Sequence, residues 1–481
     1  MEYNYFVDLS NPFLIVYLVM VVLGTSVNSA IVWLDTRKDN IKAKIKAIHS
    51  LGDEAKKLFP ASKVEKSLRY DAEWNNFSEM RGGIVSAIAS TCMLFGVIPF
   101  SIQFFLHIFP GLSVVWATVF SSIFFFAVST LVGIPLEYYS TFKLDGKYGF
   151  NNSTVGTFAA DTVKSFLIGT ATIVAVKHLL NFGLVKFGNL SVVNILALSA
   201  GIFLSVKVFE CLYTNFVMPM FNRFSPVPKK ALAEKILKLC RECGFNAKQV
   251  VVMDESRRSS RPNAFIYGIF RKKIVLFDTL LENFSDDEIV SVVAHEIGHA
   301  KCHHLLKMEI ESAFSTILTT TLALVMVKCV GLYHAFGYSW VTQENLTENL
   351  IVGFPIALGM ISACTWFLSP IMSSHSRKME YQADEFATKM VGKDVMKTCE
   401  LRLFSQNLSD PFPDPVYEAW NYSHPSLLKR ISAIDAVPDE LCPKPRRRRV
   451  SAKKTAEKKP LQKTRVSKST KGKRNGKKKA E

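Results

Sequence analysis

The sequence predicts a mainly α membrane protein in which seven transmembrane helices enclose a chamber beside a cytosolic α+β domain. Three observations lead there. Of the 481 residues, 49% are hydrophobic and 36 are Phe, although 21% carry charge, so the apolar residues must be clustered. The clusters are long enough to cross a bilayer core of about 30 Å as helices. Between the fifth and sixth of them the period changes to that of short strands and amphipathic helices.

The expected spans are residues 12–34, 83–109, 113–135, 163–185, 189–213, 310–333 and 350–372. The first exceeds the core of a signal peptide and lacks a small-residue cleavage pattern, so it reads as retained. Orientation follows from loop charge. Residues 35–82 hold eleven Lys and Arg, whereas residues 1–11 and 334–349 hold none. Basic loops stay cytosolic, which places the amino terminus in the lumen and residues 214–309 and 373–481 together in the cytosol. Lys177 and His178 in the fourth span, and Lys207 and Glu210 in the fifth, either snorkel to the interface or face a polar chamber.

The domain plan is then a five-span region at 1–213 with its cytosolic loop at 35–82, an α+β segment at 214–309, two spans within 310–372, a second cytosolic segment at 373–438, and a tail at 439–481. That tail is disordered by composition: residues 443–481 carry 18 Lys and Arg against two Glu. Without it the formal charge of +18 nearly vanishes, so nucleic acid is not an expected partner and anionic lipid near the tail is. Nine scattered cysteines form no disulfide framework, and Cys240 and Cys243 make a lone CxxC without the second pair of a zinc ribbon.

Within 214–309 a helix is expected over 229–243, a strand over 249–254, and a hairpin of 263–268 with 273–278 across a turn at 270–272. Ser285 and Glu288 form a capping box that opens a helix. That helix carries His295-Glu296-Ile297-Gly298-His299. Two His four residues apart share one helix face and can hold a single Zn²⁺, while Glu296 lies about 100° around the helix and suits a general base. His303 and His304, one turn further on, read as solvated interfacial residues.

A catalytic zinc keeps three protein ligands and one open position, so a third ligand is required. It is sought in Glu380-Tyr381-Gln382-Ala383-Asp384-Glu385, directly after the last span. Glu380 and Asp384 share a helix face at i,i+4, and spacing alone does not separate Glu380, Asp384 and Glu385.

HExxH, the downstream EYQAD, and the upstream Asn263-Ala264-Phe265-Ile266-Tyr267-Gly268 and Ile274–Leu281 segments together resemble the CAAX prenyl protease 1 family over about residues 10–435. The resemblance implies a seven-span, gluzincin-like zinc endopeptidase that removes the three terminal residues of farnesylated CAAX proteins and also trims a precursor. It implies His295, His299 and Glu380 as metal ligands, Glu296 as base, and Asp384 as a catalytic or supporting residue. It further implies Asn263 and His424 as substrate contacts; on physical grounds Arg430 is a candidate to aid the oxyanion from behind His424. Lys478 and Lys479 match a dilysine signal for the endoplasmic reticulum membrane, and the nuclear envelope is continuous with that location. A general quality-control membrane protease fits the motif with fewer spans. A transporter or receptor leaves the HExxH and EYQAD segments unexplained.

Overall fold

The computed structural model describes residues 7–36, 41–246, 249–267 and 273–443. The turn expected at 270–272 and the basic tail from 444 onward, with its dilysine end, lie outside the described residues.

Among the described residues, five helices are long and apolar enough to cross a membrane: Pro12–Thr36, Val114–Tyr148, Val155–Lys186, Val192–Phe221 and Leu346–Val391. Three begin on hydroxyl caps, Ser113, Thr154 and Ser191, whose side chains accept backbone N–H groups that the first turn leaves unpaired. The second expected span is not one straight rod. Ala61–Leu94 and Val97–Ile108 meet at 58°, with Gly96 in the left-handed region at φ 61°, a conformation that costs glycine little. Counting that pair as one span makes six. The helix in the place of the expected sixth span, His304–Met326, is diluted by Glu309, Glu311 and four threonines, which keeps it out of that group.

Several of these helices pack together at one end. A core of Leu184, Leu190, Ile195, Leu198, Leu324, Leu332, Tyr333, Leu350 and Phe354 closes that end. Away from it the helices part company: the 32 residues of Val155–Lys186 bury only Gly183 and Leu184. Lys207, in the fifth expected span, bonds Glu210 at 2.8 Å and Glu309 of the neighbouring helix at 2.9 Å, so its charge is paired between two helices.

The α+β segment contains a four-stranded sheet in the order β1-β2-β4-β3, with β1 Phe224–Pro226, β2 Gln249–Met253, β3 Ala264–Tyr267 and β4 Lys273–Phe277. Three of these strands were expected; β1 is too short to show a period. β2 and β4 run parallel, and β3 lies antiparallel to β4 at the sheet's edge. Ile274, Val275 and Leu276 of β4 are fully buried, as a strand covered on both faces requires. Helix Lys230–Glu242, with Leu232, Ile236, Leu239 and Cys240 buried on one side, packs on the same core. That placement gives Cys240 a packing role.

The motif helix, Asp286–Lys301, opens on the expected capping box, Ser285 and Glu288 bonding each other's backbone N–H. Its main neighbour is helix Ser369–Val391, which continues from Leu346–Thr365 through the short turn Trp366–Leu368. The last apolar helix and the one bearing Glu380 therefore form a single rod.

Candidate metal centre and active site

The motif helix and the Glu380 helix approach closely because residue 298 is glycine. A Cβ there would sit 3.0 Å from Ala383 Cα and 3.1 Å from its carbonyl oxygen, both backbone atoms with little freedom to retreat. Gly298→Ala is expected to push the two helices apart, costing about 1–3 kcal/mol of stability. It should also weaken metal retention, because His299 and Glu380 flank this contact; metal analysis beside a thermal melt measures both.

Across that contact the ligand atoms of His295, His299 and Glu380 lie within 4.8 Å of one another. Glu380 Oε2 is 3.4 Å from His295 Nε2, and Oε1 is 3.4 Å from His299 Nε2. The two Nε2 atoms are 3.1 Å apart. The surrounding bonds decide which nitrogens carry protons. Asp384 Oδ1, 2.8 Å away, accepts from His295 Nδ1. Gln382 Oε1 accepts from His304 Nε2 at 2.8 Å, which leaves His304 Nδ1 to accept from His299 Nδ1 at 3.0 Å. Both ligand imidazoles therefore turn lone pairs toward a carboxylate whose Oε2 is buried without a hydrogen-bond partner. Lone pairs converging in this way repel unless a cation lies among them, and two imidazoles plus one carboxylate suit zinc.

Burial opposes charge on His295, but hydrogen bonds to Asp384 and Glu380 outweigh it and lift its pKa to about 10. Burial likewise works against charge on Glu380, yet the two imidazoles beside it hold its carboxyl well below the usual range. Metal binding at this site then releases a proton.

His304 was expected to be solvated. It is fully buried and fixes the tautomer and orientation of His299, as Asp384 does for His295. Only His303 is exposed, in the left-handed conformation that starts the next helix. Asp384 is in turn held by Arg430, whose Nε and Nη2 donate to its two oxygens at 2.8 and 2.5 Å. Arg430 Nη1 lies 2.6 Å from Glu400. The guanidinium expected to aid the oxyanion is thus spent on two buried carboxylates, and Glu400 is a member of the site that the sequence did not suggest.

Glu296 lies beside β3. Burial raises its carboxyl above the usual range, opposed by the two ligand imidazoles and by the Ile266 backbone N–H. The other side of β3 pairs with β4: Asn263 C=O accepts from Phe277 N–H at 3.0 Å. With period-two alternation, Asn263, Phe265 and Tyr267 face β4, while Ala264 and Ile266 present their backbone groups at the free edge. Asn263 Oδ1 covers the Ala264 N–H at 2.8 Å. His424 is 62% exposed, with Nε2 3.5 Å from Glu380 Oε1. A cavity of about 810 Å³ joins all of these, lined by His295, Glu296, Asn263, His424 and, from the amino-terminal region, Tyr70, Trp74 and Asp145.

Residues 226–437 match peptidase family M48, and residues 43–223 match the CAAX prenyl protease N-terminal region, five membrane helices. CAAX prenyl protease 1 of Saccharomyces cerevisiae is 34% identical over 333 residues, 65% of this chain and 71% of that one. The Arabidopsis thaliana homologue is 30% identical, covering 78% of this chain and 87% of its own. The crystal structure of S. mikatae Ste24p superposes with a TM-score of 0.77 at 27% identity, over 88% of this chain and 99% of that one. Both halves of the metal cluster fall inside the M48 match, and the helices that complete the cavity fall inside the other. The chain is a multi-pass membrane metalloprotease and belongs to the CAAX prenyl protease 1 family.

Proposed function

We propose that this chain is a zinc endopeptidase of the endoplasmic reticulum membrane that removes the three terminal residues of prenylated CAAX proteins. The observation that carries the reading is a His, His, Glu cluster opening into a cavity walled partly by membrane-region helices. A lipid-modified substrate needs a site that a peptide end enters while its apolar chain stays among apolar helices.

Parity supports seven spans. The motif helix and Glu380 meet, so they occupy one side, yet Leu346–Thr365 crosses between them. One more crossing has to lie between Lys301 and Leu346, and His304–Met326 has the length. The basic loop at 35–82 puts the site and the carboxyl terminus in the cytosol.

His295, His299 and Glu380 would hold the zinc, which polarises the scissile carbonyl and makes water acidic enough to lose a proton near neutral pH. Glu296 takes that proton on its carboxylate and returns it to the leaving amine nitrogen. Asp384, 1% exposed, acts by orienting His295 rather than by touching substrate. His424, exposed at the cavity, is placed to stabilise the oxyanion. The substrate main chain adds to the free edge of β3, with the Asn263 side chain giving way or joining the bonding.

The test is cleavage of a farnesylated CAAX peptide beside its unprenylated twin, with and without a zinc chelator. Rapid chelator-sensitive cleavage of the prenylated peptide supports the reading; equal rates for both would remove the prenyl preference. The alternation in β3 also sharpens a mutational expectation. Ala264→Pro deletes a free-edge N–H and should lower kcat/KM by about tenfold or more with metal retained, because one buried hydrogen bond to substrate is lost. Phe265→Pro removes a bond to β4 instead and should lower thermal stability first. Normal cleavage by an Ala264→Pro variant would show that substrate docks elsewhere.

A further inference from the structure

Removing a fixed number of residues from a chain end requires the site to sense that end. The distinguishing group is the terminal α-carboxylate, and a fixed cation is what recognises it. Resting on the function proposed above, we propose that Arg261 binds the terminal carboxylate of the substrate and so sets the position of cleavage.

Two guanidinium groups line the cavity, those of Arg261 and Arg430. Arg430 is buried and occupied by Asp384 and Glu400. Arg261 differs on both counts: 37% of its side chain is accessible, and its Nε, although itself buried, is a donor without a partner. Its Nη2 donates to Asp145 at 3.1 Å and to the Tyr70 hydroxyl. Its guanidinium lies 4.3 Å from the ring centre of Phe150, 5.5 Å from Tyr70 and 6.0 Å from Trp74. An arginine clamped by one carboxylate and three rings is pre-organised, so little side-chain freedom remains to be lost when a second carboxylate arrives.

The backbone points to the same place. Thr279 Oγ1 holds the Arg261 carbonyl at 2.8 Å. Pro262 follows, which keeps Arg261 extended and supplies no N–H, so main-chain pairing along the β3 edge stops there. The point where the edge can no longer pair is where a substrate chain can end. Three extended residues span about 10 Å. Ile266, whose backbone N–H faces Glu296, follows Arg261 by five residues, about 17 Å of extended chain, and the Arg261 side chain can cover the about 7 Å that remain. A substrate running antiparallel to β3 therefore brings its carboxylate to Arg261 while its scissile bond lies beside Glu296.

The test compares two farnesylated CAAX peptides, one with a free carboxylate and one with a carboxamide, on the full-length protein in detergent or nanodiscs. The unmodified protein is expected to favour the acid by about 10- to 100-fold in kcat/KM, mainly through KM. Arg261→Gln should bring that ratio close to one through loss on the acid, with metal retained, and Arg261→Lys should restore part of it. Equal rates on acid and amide by the unmodified protein would overturn the inference and leave the protease reading standing. Arg261→Gln lowering both peptides in proportion would also overturn it, as a structural role for the Asp145 pair predicts. Cleavage of neither peptide by the unmodified protein would remove the function and the inference together.

Discussion

Glu296→Gln lowers kcat by about two to four orders of magnitude while the purified protein keeps its metal. The two halves of this result have separate causes. The amide preserves the shape of the side chain beside β3 and leaves the ligand atoms of His295, His299 and Glu380 untouched, so metal content stays at the level of the unmodified protein. What is lost is a carboxylate that accepts a proton from water and returns it to the amine. Alanine at His295, His299 or Glu380 should give the reverse pattern, with metal lost and turnover lost as a consequence. Elemental analysis beside single-turnover cleavage separates the two classes, and normal metal in a Glu380→Ala variant would remove Glu380 from the site.

Arg430→Met has the largest expected effect on stability. It leaves Asp384 and Glu400, at 1% and 2% exposure, without their shared cation, and stranding buried charge in this way costs about 3–5 kcal/mol. The two carboxyls are not equivalent. Burial opposes charge on both, but Asp384 has Arg430 and His295 beside it and is held below the usual range. For Glu400 burial, with the neighbouring Asp384 and Glu380 carboxylates, outweighs Arg430 and His295 and holds it above that range. A carboxyl whose folded pKa is raised favours the folded state at low pH, and that contribution is lost as pH climbs from about 4.3 through the raised value. Glu400→Gln should therefore flatten the fall in stability over that window. In the Arg430→Met background the same change should recover part of the loss. Thermal melts of the three variants across pH 5 to 8 measure this, and an Arg430→Met protein as stable as the unmodified one would exclude a structural role for the triad.

Much of this site is local chemistry and can be read along the chain. The i,i+4 spacing of His295 and His299, the Ser285 and Glu288 cap, and the shared face of Glu380 and Asp384 all follow from one helical repeat. The two main strands of the hairpin were legible because apolar runs are bounded there by turn residues. What escaped is what depends on distant partners. His304 stands among polar and charged neighbours in sequence and looks solvated, until Gln382, 78 residues later, folds over it. Arg261 meets Asp145 and Tyr70 across separations of 116 and 191 residues, with no periodicity linking them. Glu400 lies in an ordinary amphipathic helix, and only Arg430 marks it out. The bend at Gly96 was hidden because the apolar run continues unbroken through it, and hydropathy has no term for direction.

The single rod from Leu346 to Val391 bears on how the protein is made. On the seven-span reading proposed above, His299 is synthesised before the last two membrane helices and Glu380 after both, so the proposed third ligand would reach the first two only when the intervening chain has been threaded out and back. A nascent chain stalled at either crossing has two imidazoles and no carboxylate to complete the cluster. On that reading, capture of metal reports successful insertion, and the protease stays inert until its own biogenesis is complete.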